Sequence, residues 1–227
     1  MAIEFATTGF EGLLANLQAL ETADLAALKV TQIAGLTTNQ AANLTTDQIV
    51  ALTTAQAAGL TTAQLSGMGT AQIAAIETAD IAALTTGQVS SLTTNQIAKG
   101  LTTDQVIALG THQVQALTTA QLVALSTDNL AAVETTDLAA LKTSQIAALT
   151  TAQVAQGLTT DQVVALTTTQ VAKLSTTQLG ALTEANVANL STAQVDALST
   201  TQLTSLRTGK IDSITTDVIT SLATGKE

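Results

Sequence analysis

The chain has 227 residues with 7 Lys and Arg against 17 Asp and Glu, a formal net charge of −10, and no basic cluster of the kind that neutralises nucleic-acid or lipid phosphates. It contains no Cys, Pro, Trp or Tyr, which excludes disulfides and thiolate metal sites and leaves an aliphatic core. Its apolar runs are far shorter than the roughly 20 residues that cross a bilayer. We therefore expect no nucleic-acid partner and no membrane insertion.

Residues 1–19 differ from the rest of the chain. They contain the only two aromatic residues, Phe5 and Phe10, and an apolar face from Leu13 to Leu17. We interpret this segment as an N-terminal cap over the first repeat, or alternatively as a docking element for a partner subunit. It lacks the basic and apolar regions of a cleavable secretory signal, so the protein either stays in the cytoplasm or is exported by another route.

Residues 20–227 form a tandem array of an octapeptide with the consensus Leu-Thr-Thr-x-Gln-(Ile/Val/Leu)-Ala-Ala, whose positions are numbered 1 to 8 from the leucine. Single glycines are inserted at Gly100 and Gly157. Self-similarity at a fixed short period is the signature of a solenoid in which neighbouring repeats bury a common core.

A longer period of seven octads, with or without an inserted glycine, is superimposed on the octapeptide. Asp47, for example, recurs at Asp104 and Asp161. Duplication of seven-octad blocks and a structural period of seven octads would both produce it. The conservative differences between octads favour duplication.

Neither a continuous helix nor a plain strand fits the octad. Eight residues of α-helix advance by about 800°, so the leucine stripe would rotate by about 80° per octad. In a strand, the large apolar residues at positions 1 and 6 would lie on opposite faces. A β-solenoid is the remaining β alternative, and it requires a corner in every octad.

Short helices fit the octad well. Thr45 and Gln48 have the spacing of a capping box, and Leu44 and Ile49 have that of a hydrophobic staple. The same devices recur at residues 92–97 and 158–163. The sequence therefore predicts an all-α solenoid in which each octad forms one helix of one to two turns.

Few residues have the chemistry of a catalytic, cofactor-binding or metal-binding site. His112 is the only histidine and occupies the variable position 4, where we expect it to face solvent. Acidic pairs replace Thr and Gln at positions 2 and 5, and we expect them to take over the capping: Glu21/Asp24, Glu77/Asp80 and Glu134/Asp137. No nucleophile–base pair, phosphate loop or His/Cys cluster is present. We predict no enzymatic activity, no catalytic residues, no cofactor and no metal.

Two resemblances follow from these motifs. Residues 158–166, Leu-Thr-Thr-Asp-Gln-Val-Val-Ala-Leu, resemble the opening of the first helix in transcription activator-like effector repeats, without the base-reading loop and with the opposite charge. Residues 20–222 resemble the Thr/Ala-rich Leu-Thr-Thr-x-Gln tracts of bacterial surface and exported proteins, some of them labelled adhesin-like or haem-utilisation-like. That resemblance implies an extracellular or surface location, whereas one His and two Phe make a poor haem site.

The regularity of the octads predicts a structural protein, namely a surface filament subunit or adhesive stalk that assembles head to tail with copies of itself. One alternative is a superhelical scaffold that binds a peptide or protein partner. Another is an ice-binding array of threonines, which would favour the β-solenoid.

Overall fold

The computed structural model describes residue 17 and residues 19–210, with side chains up to residue 206. Within these ranges all regular secondary structure is helical, and there is no strand. The prediction of one short helix per octad is confirmed, and the β-solenoid alternative is wrong. The predicted cap of residues 1–19 lies outside the described residues, apart from Leu17 and Ala19.

The chain divides into two compact units, Met1–Ala108 and Leu109–Glu227, here called the N-terminal and C-terminal units. The helices of the N-terminal unit are α1 Thr22–Ala26, α2 Val30–Ala34, α3 Thr38–Ala42, α4 Thr46–Val50, α5 Thr54–Gly59, α6 Thr62–Gly67, α7 Thr70–Ala75, α8 Thr78–Ala83, α9 Thr86–Ser91, α10 Thr94–Lys99 and α11 Thr103–Ala108. Those of the C-terminal unit are α12 Thr111–Ala116, α13 Thr119–Ala124, α14 Thr127–Ala132, α15 Thr135–Ala140, α16 Thr143–Ala147, the π-helix π1 Gln153–Gly157, α17 Thr160–Ala165, α18 Thr168–Val171, α19 Thr176–Ala181, α20 Glu184–Ala188, α21 Thr192–Asp196 and α22 Thr200–Lys210. Among these helices only α22, with 11 residues, is longer than an octad.

Most of the described helices with glutamine at position 5 begin at the capping box that the sequence predicts. Thr45 has the extended conformation of an N-cap (φ −71°, ψ 162°). Its hydroxyl accepts from the Gln48 N–H at 3.2 Å, and the Thr45 N–H donates to Gln48 Oε1 at 3.0 Å. Leu44 and Ile49, the predicted staple, are both buried. The reciprocal bonds also form at Thr93 and Thr159, so the predicted boxes are confirmed.

The chain bends between helices through two consecutive extended residues. At the junction of α5 and α6, Leu60 (φ −61°, ψ 137°) and Thr61 (φ −73°, ψ 156°) lie in the β region. No described residue has a positive φ. The corners therefore need no glycine or asparagine, which explains why the octads carry no regular turn residue.

Within each unit, every helix packs mainly against the third helix before and the third helix after it. Examples are α4 against α7 in the N-terminal unit and α12 against α15 in the C-terminal unit. Positions 1 and 6 both face the core, as Leu52 and Ile49 do. A short helix followed by an extended corner thus brings to one side two positions that a strand would separate.

The two inserted glycines are absorbed by widening the last turn of a helix. The Leu101 N–H donates to the Gln96 carbonyl at 3.0 Å, and the Leu158 N–H donates to the Gln153 carbonyl at 2.9 Å, both across five residues. A Cβ on Gly100 would lie 2.6 Å from the Gln96 carbonyl oxygen. Only glycine fits this bulge without a shift of the backbone.

Candidate functional site

The glutamine at position 5 joins successive turns of each stack. Gln64 is buried, and its Oε1 accepts from the Thr61 N–H at 2.7 Å. Its Nε2 donates to the carbonyl oxygens of Ile33 at 2.9 Å and Leu36 at 2.6 Å. One amide therefore caps the start of its own helix and binds two carbonyls of an earlier turn.

This arrangement repeats along both units, and we call it the glutamine ladder. The two carbonyls lie 31 and 28 residues before the glutamine. The pattern is seen at Gln56 (Leu25, Leu28), Gln96 (Leu65, Met68), Gln153 (Leu122, Leu125) and Gln194 (Val163, Leu166). The ladder bonds therefore reach back about three and a half to four octads, and other inter-turn contacts span 25 and 26 residues.

The ladder keeps its register across the inserted glycines. Gln105 follows Gly100 and bonds to the carbonyls of Ile73 and Ile76, which lie 32 and 29 residues earlier. Gln162 follows Gly157 with the same lengthened separations. The bulge adds one residue to the path and leaves the inter-turn bonds intact.

The physical role of the ladder follows from the shortness of the helices. The last carbonyls of an α-helix have no partner within the helix, and a helix of five or six residues consists largely of ends. A buried carbonyl without a donor costs about 1–3 kcal/mol. The glutamine Nε2 supplies that donor at the end of a helix one turn away, so neighbouring turns satisfy each other.

Two asparagines and three aspartates replace glutamine at position 5 between residues 24 and 202. Asn186 Nδ2 still donates to the Leu158 carbonyl, at 3.4 Å, while its Oδ1 accepts from the Thr160 hydroxyl at 3.1 Å. Asp137 Oδ1 accepts from the Thr111 hydroxyl at 2.5 Å. Asp80 is 2% exposed, and its Oδ2 has no hydrogen-bond partner.

The prediction that the acidic pairs take over the capping is wrong. Glu21, Glu77 and Glu134 stand at N-cap positions, but their side chains form no capping hydrogen bond. An aspartate is one methylene shorter than glutamine and carries no donor when ionised, so it reproduces neither end of the glutamine amide. These octads interrupt the ladder.

The remaining candidate residues are not brought together. His112 is exposed, as predicted. The described part of the chain holds no group of three or more His, Cys, Asp or Glu side chains that could share a metal ion. Across the same residues, no helix is long and apolar enough to cross a membrane.

The threonines at positions 2 and 3 are exposed in many described octads, as at Thr53 and Thr54, on a helical framework rather than on the β-solenoid that an ice-binding array would favour. Some residues at position 3 also contact position 8 of an octad in the adjacent turn. Gly67 at position 8 accordingly packs on Thr38 at position 3 of the preceding turn.

The capping pattern did not predict that the glutamine Nε2 also donates hydrogen bonds to carbonyls of the preceding turn. It identified the capping box, which glutamate serves as well as glutamine. Between residues 24 and 202, however, glutamate never occupies position 5. The predominance of glutamine over acidic residues at position 5 is the signal that the side chain usually also donates a hydrogen bond.

Short helices stacked in register through side-chain-to-carbonyl bonds define a helical repeat protein. The chain belongs to the ALTTAQ repeat family, which matches residues 17–54, 73–111, 106–135, 130–168, 164–192 and 171–208. The family's six letters occur verbatim at residues 51–56, 116–121 and 148–153. No curated protein matches the chain. The predicted repeat character is confirmed, whereas the adhesin and haem labels gain no support from this match.

Proposed function

We propose that the protein is a non-catalytic structural element that assembles head to tail into a filament or stalk at the cell surface. The observation that carries this proposal is the polarity of the glutamine ladder. The Nε2 bonds of the ladder run toward the N-terminus, as from Gln56 to Leu25 and from Gln194 to Val163.

A polar ladder gives a stack two different edges. Each described turn presents glutamine amide donors toward the N-terminus and carbonyl acceptors toward the C-terminus, as between Gln64 and Leu36. Positions 1 and 6 provide aliphatic side chains at both edges. Such edges are complementary to each other but not to themselves, and contacts of this heterologous kind generate open filaments when the rotation does not close a ring.

The surface composition is compatible with a mechanical role. Exposed positions carry short polar side chains such as Thr53 and Thr54. The proposed cell-surface location rests on the resemblance to Leu-Thr-Thr-x-Gln tracts of exported bacterial proteins. Low lysine content, the absence of cysteine and the acidic net charge of −10 are compatible with it.

The test is the dependence of assembly on concentration. Sedimentation velocity should show species that lengthen as the protein concentration rises, and negative-stain images should show unbranched filaments. A matched variant with a compact globular domain fused to its C-terminus should stay short, because the fusion blocks one edge. A monomer at every concentration, or undiminished growth of the fused variant, would contradict head-to-tail assembly.

A further inference from the structure

Asp80, at position 5 of its octad, has a buried carboxylate oxygen that receives no hydrogen bond. The residue is 2% exposed, and its Oδ2 has no partner. An ionised carboxylate that is removed from water is strongly destabilising unless it is paired. A group that compensates the charge is therefore expected at this oxygen.

The octads on either side show which carbonyl of the preceding turn lies opposite this carboxylate. Gln72 Nε2 donates to the Leu44 carbonyl at 2.6 Å. Gln88 Nε2 donates to the Leu60 carbonyl at the same distance, and both bonds span 28 residues. Because the aspartate lies midway between the two glutamines, the same register places its side chain opposite the Leu52 carbonyl. Helix α8 packs against α5, the helix that follows Leu52, as this register requires.

The Leu52 carbonyl lacks the donor that its counterparts in the neighbouring octads have. Leu44 and Leu60 each accept from a glutamine, whereas no hydrogen bond to the Leu52 carbonyl forms within the described residues. Aspartate is one methylene shorter than glutamine, so its oxygens end about 1.5 Å before the place that Nε2 takes in the neighbouring octads. Two acceptors therefore face each other, and they can be joined only by a donor or a cation.

The helices packed around Asp80 bring no positive charge to this place. In the described part of the chain, α8 packs mainly against α5 and α11. Helix α5 has no ionisable side chain, and α11 has only Asp104, which is exposed. Glu77 at the N-cap of α8 is exposed and adds a further carboxylate. These helices thus contain nothing that could pair with Asp80.

We propose that Asp80 Oδ2 and the backbone carbonyls of Ile49 and Leu52 bind a sodium ion. Ile49 lies 31 residues before Asp80, the separation of the second carbonyl in the glutamine ladder. Hard cations are bound by carboxylate and carbonyl oxygens, at about 2.3–2.6 Å for Ca²⁺, whose radius is close to that of Na⁺. An ion at that distance from each ligand joins oxygens about 4–5 Å apart, which suits the shorter side chain of aspartate.

The charge of the ion follows from the charge of the site. Asp80 supplies one buried carboxylate, so a monovalent cation leaves the interior neutral, whereas Ca²⁺ would leave one positive charge uncompensated. The other two ligands are backbone carbonyls without formal charge. Only one ligand is an ionisable side chain, so the site differs from the clusters of acidic, His and Cys side chains on which the expectation of no metal rested.

Asp137 gives an internal comparison, because it occupies the same octad position and is 3% exposed. Its Oδ1 accepts from the Thr111 hydroxyl at 2.5 Å. The corresponding residue for Asp80 is Thr54, 26 positions earlier, but Asp80 Oδ2 receives no hydrogen bond from it. We therefore assign an ion to Asp80 alone.

The experiment compares sodium with choline, a monovalent cation that is too large for the site, in the full chain. Thermal unfolding is followed by circular dichroism while NaCl replaces choline chloride at constant ionic strength and protein concentration. A ligand that binds only the folded state stabilises it, so the midpoint should rise by about 2–4 °C when Na⁺ exceeds its Kd about fivefold. The line width of the sodium NMR signal reports binding directly and should increase when the protein is added.

Variants at Asp80 and at a neighbouring aspartate test the assignment. Asp80→Gln replaces the carboxylate with an amide and should abolish both the sodium-dependent rise of the midpoint and the line broadening. Asp80→Asn, which removes the charge with little change of shape, should do the same. The matched control Asp104→Asn removes an exposed carboxylate from the adjacent helix α11 and should keep the full response. Circular dichroism of each variant verifies the fold.

Equal midpoints in NaCl and choline chloride, or equal loss of the response in Asp80→Gln and Asp104→Asn, would overturn the proposal. So would a larger shift with Ca²⁺ than with Na⁺ at equal ionic strength, because the site would then be divalent. A midpoint that depends on pH but not on sodium would overturn it as well, because the carboxyl group would then hold a proton. The fused variant that blocks head-to-tail assembly should respond to sodium as the parent does, so the two proposals fail separately.

Discussion

At position 5 of the octad, the oxygen and the nitrogen of one glutamine side chain bind partners at very different distances along the sequence. The Oε1 of Gln64 binds a backbone N–H three residues away, while Nε2 binds carbonyls 28 and 31 residues away. The first bond fixes where the helix begins, and the second fixes how turns stack. A single residue type therefore links local and long-range structure.

Replacement of Gln64 by glutamate separates these two contributions. Gln64→Glu keeps an acceptor for the Thr61 N–H but places a carboxylate oxygen against the Ile33 and Leu36 carbonyls. Burying that unpaired charge and leaving both carbonyls without a donor should lower the free energy of unfolding by about 3 kcal/mol or more. Urea denaturation followed by circular dichroism measures the loss.

Gln32 offers the matched control for that substitution. It occupies the same octad position and accepts from the Lys29 N–H at 2.9 Å, but it is exposed. Gln32→Glu should change the unfolding free energy by less than about 0.5 kcal/mol. A comparable loss in both variants would show that the Nε2 bonds of Gln64 contribute little.

Replacement of Asp80 by glutamine should raise the free energy of unfolding, whereas Gln64→Glu should lower it. The Oδ2 of Asp80 is buried without a partner, at a position where other octads place a donor. Asp80→Gln should restore the capping bond to the Glu77 N–H and the two bonds to the carbonyls of Ile49 and Leu52. We expect a gain in unfolding free energy of about 1–3 kcal/mol, whereas Asp47→Asn, at an exposed position, should be neutral. Loss of stability in Asp80→Gln would refute this assignment.

The capping residues were predictable because their partners are close in sequence. Thr45 and Gln48 are three residues apart, and their bonds follow from helix geometry alone. The carbonyls that Gln48 reaches, those of Leu17 and Leu20, are 31 and 28 residues away. Nothing in the octad states how many octads make a turn, so the sequence could not supply those partners.

At the scale of the element, the contact between helices of adjacent turns is set by small residues at position 8. Gly59, at the end of α5, lies against Val30 at the start of α2, and a Cβ on Gly59 would be within clashing distance of Val30 Cγ1. Most octads have alanine at position 8 and threonine at position 3. Gly67 lies in the same way against Thr38, so a glycine at position 8 allows a close approach to the residue at position 3 of the preceding turn.

Gly59→Ala should therefore be destabilising despite the higher helix propensity of alanine. The valine has few rotamers available within a helix, so the overlap must be relieved by separating α2 from α5. We expect a loss of about 1–3 kcal/mol. Combining it with Val30→Ala should recover most of that loss, and a double-mutant cycle of thermal or urea unfolding measures the coupling.

Gly87→Ala is the control for the effect of alanine on helix propensity at a site without a close inter-helix contact. Within α9 a Cβ at this position would approach only the Thr85 hydroxyl, at 3.9 Å. Gly87→Ala should therefore raise the unfolding free energy by about 0.5–1 kcal/mol through helix propensity. If Gly59→Ala were also stabilising, the packing between α2 and α5 would be looser than the contact distance indicates.

The local structure around the two inserted glycines could not be predicted from the sequence. Gly100 and Gly157 are evident as breaks in the octad count, but the count does not say what the chain does with an extra residue. The structure widens the helix end into a five-residue hydrogen bond. A bulge of this kind needs contact with the preceding turn, such as that of Gly100 with Ile73, to define it.

At the scale of the whole molecule, the seven-octad period of the sequence can be compared with the reach of the glutamine ladder. The shorter ladder bond of each glutamine reaches back three and a half octads, so two such steps span seven octads. Duplication in blocks of seven octads would preserve which residues share a side. The two causes that the sequence left open are thus compatible with each other.

The reach of the inter-turn bonds also sets the length below which the chain cannot fold. Ladder bonds span 28 to 32 residues, so fewer than four octads can form none. Isolated helices of four to six residues are unstable in water. Stability must therefore rise with the number of completed turns, as in other repeat arrays.

Fragments of the N-terminal unit test this dependence. Residues 36–67 comprise four octads and retain only one ladder bond, from Gln64 to the Leu36 carbonyl. Residues 36–99 comprise eight octads, and each glutamine in their last four octads keeps both of its inter-turn carbonyls, as Gln96 does. Far-UV circular dichroism should show little helix in the shorter fragment and a cooperative helical transition in the longer one.

Substitutions in the longer fragment test whether the ladder bonds cause the turns to stack or only form once they have stacked. Replacing Gln72, Gln88 and Gln96 together by glutamate removes the donors that bind carbonyls of the preceding turn. The cooperative transition should be lost, because each octad keeps its capping acceptor but the turns are no longer joined. Equal helicity per residue in both fragments, or an unchanged transition in the substituted one, would instead mean that the octads fold locally and that the ladder is a consequence of stacking rather than its cause.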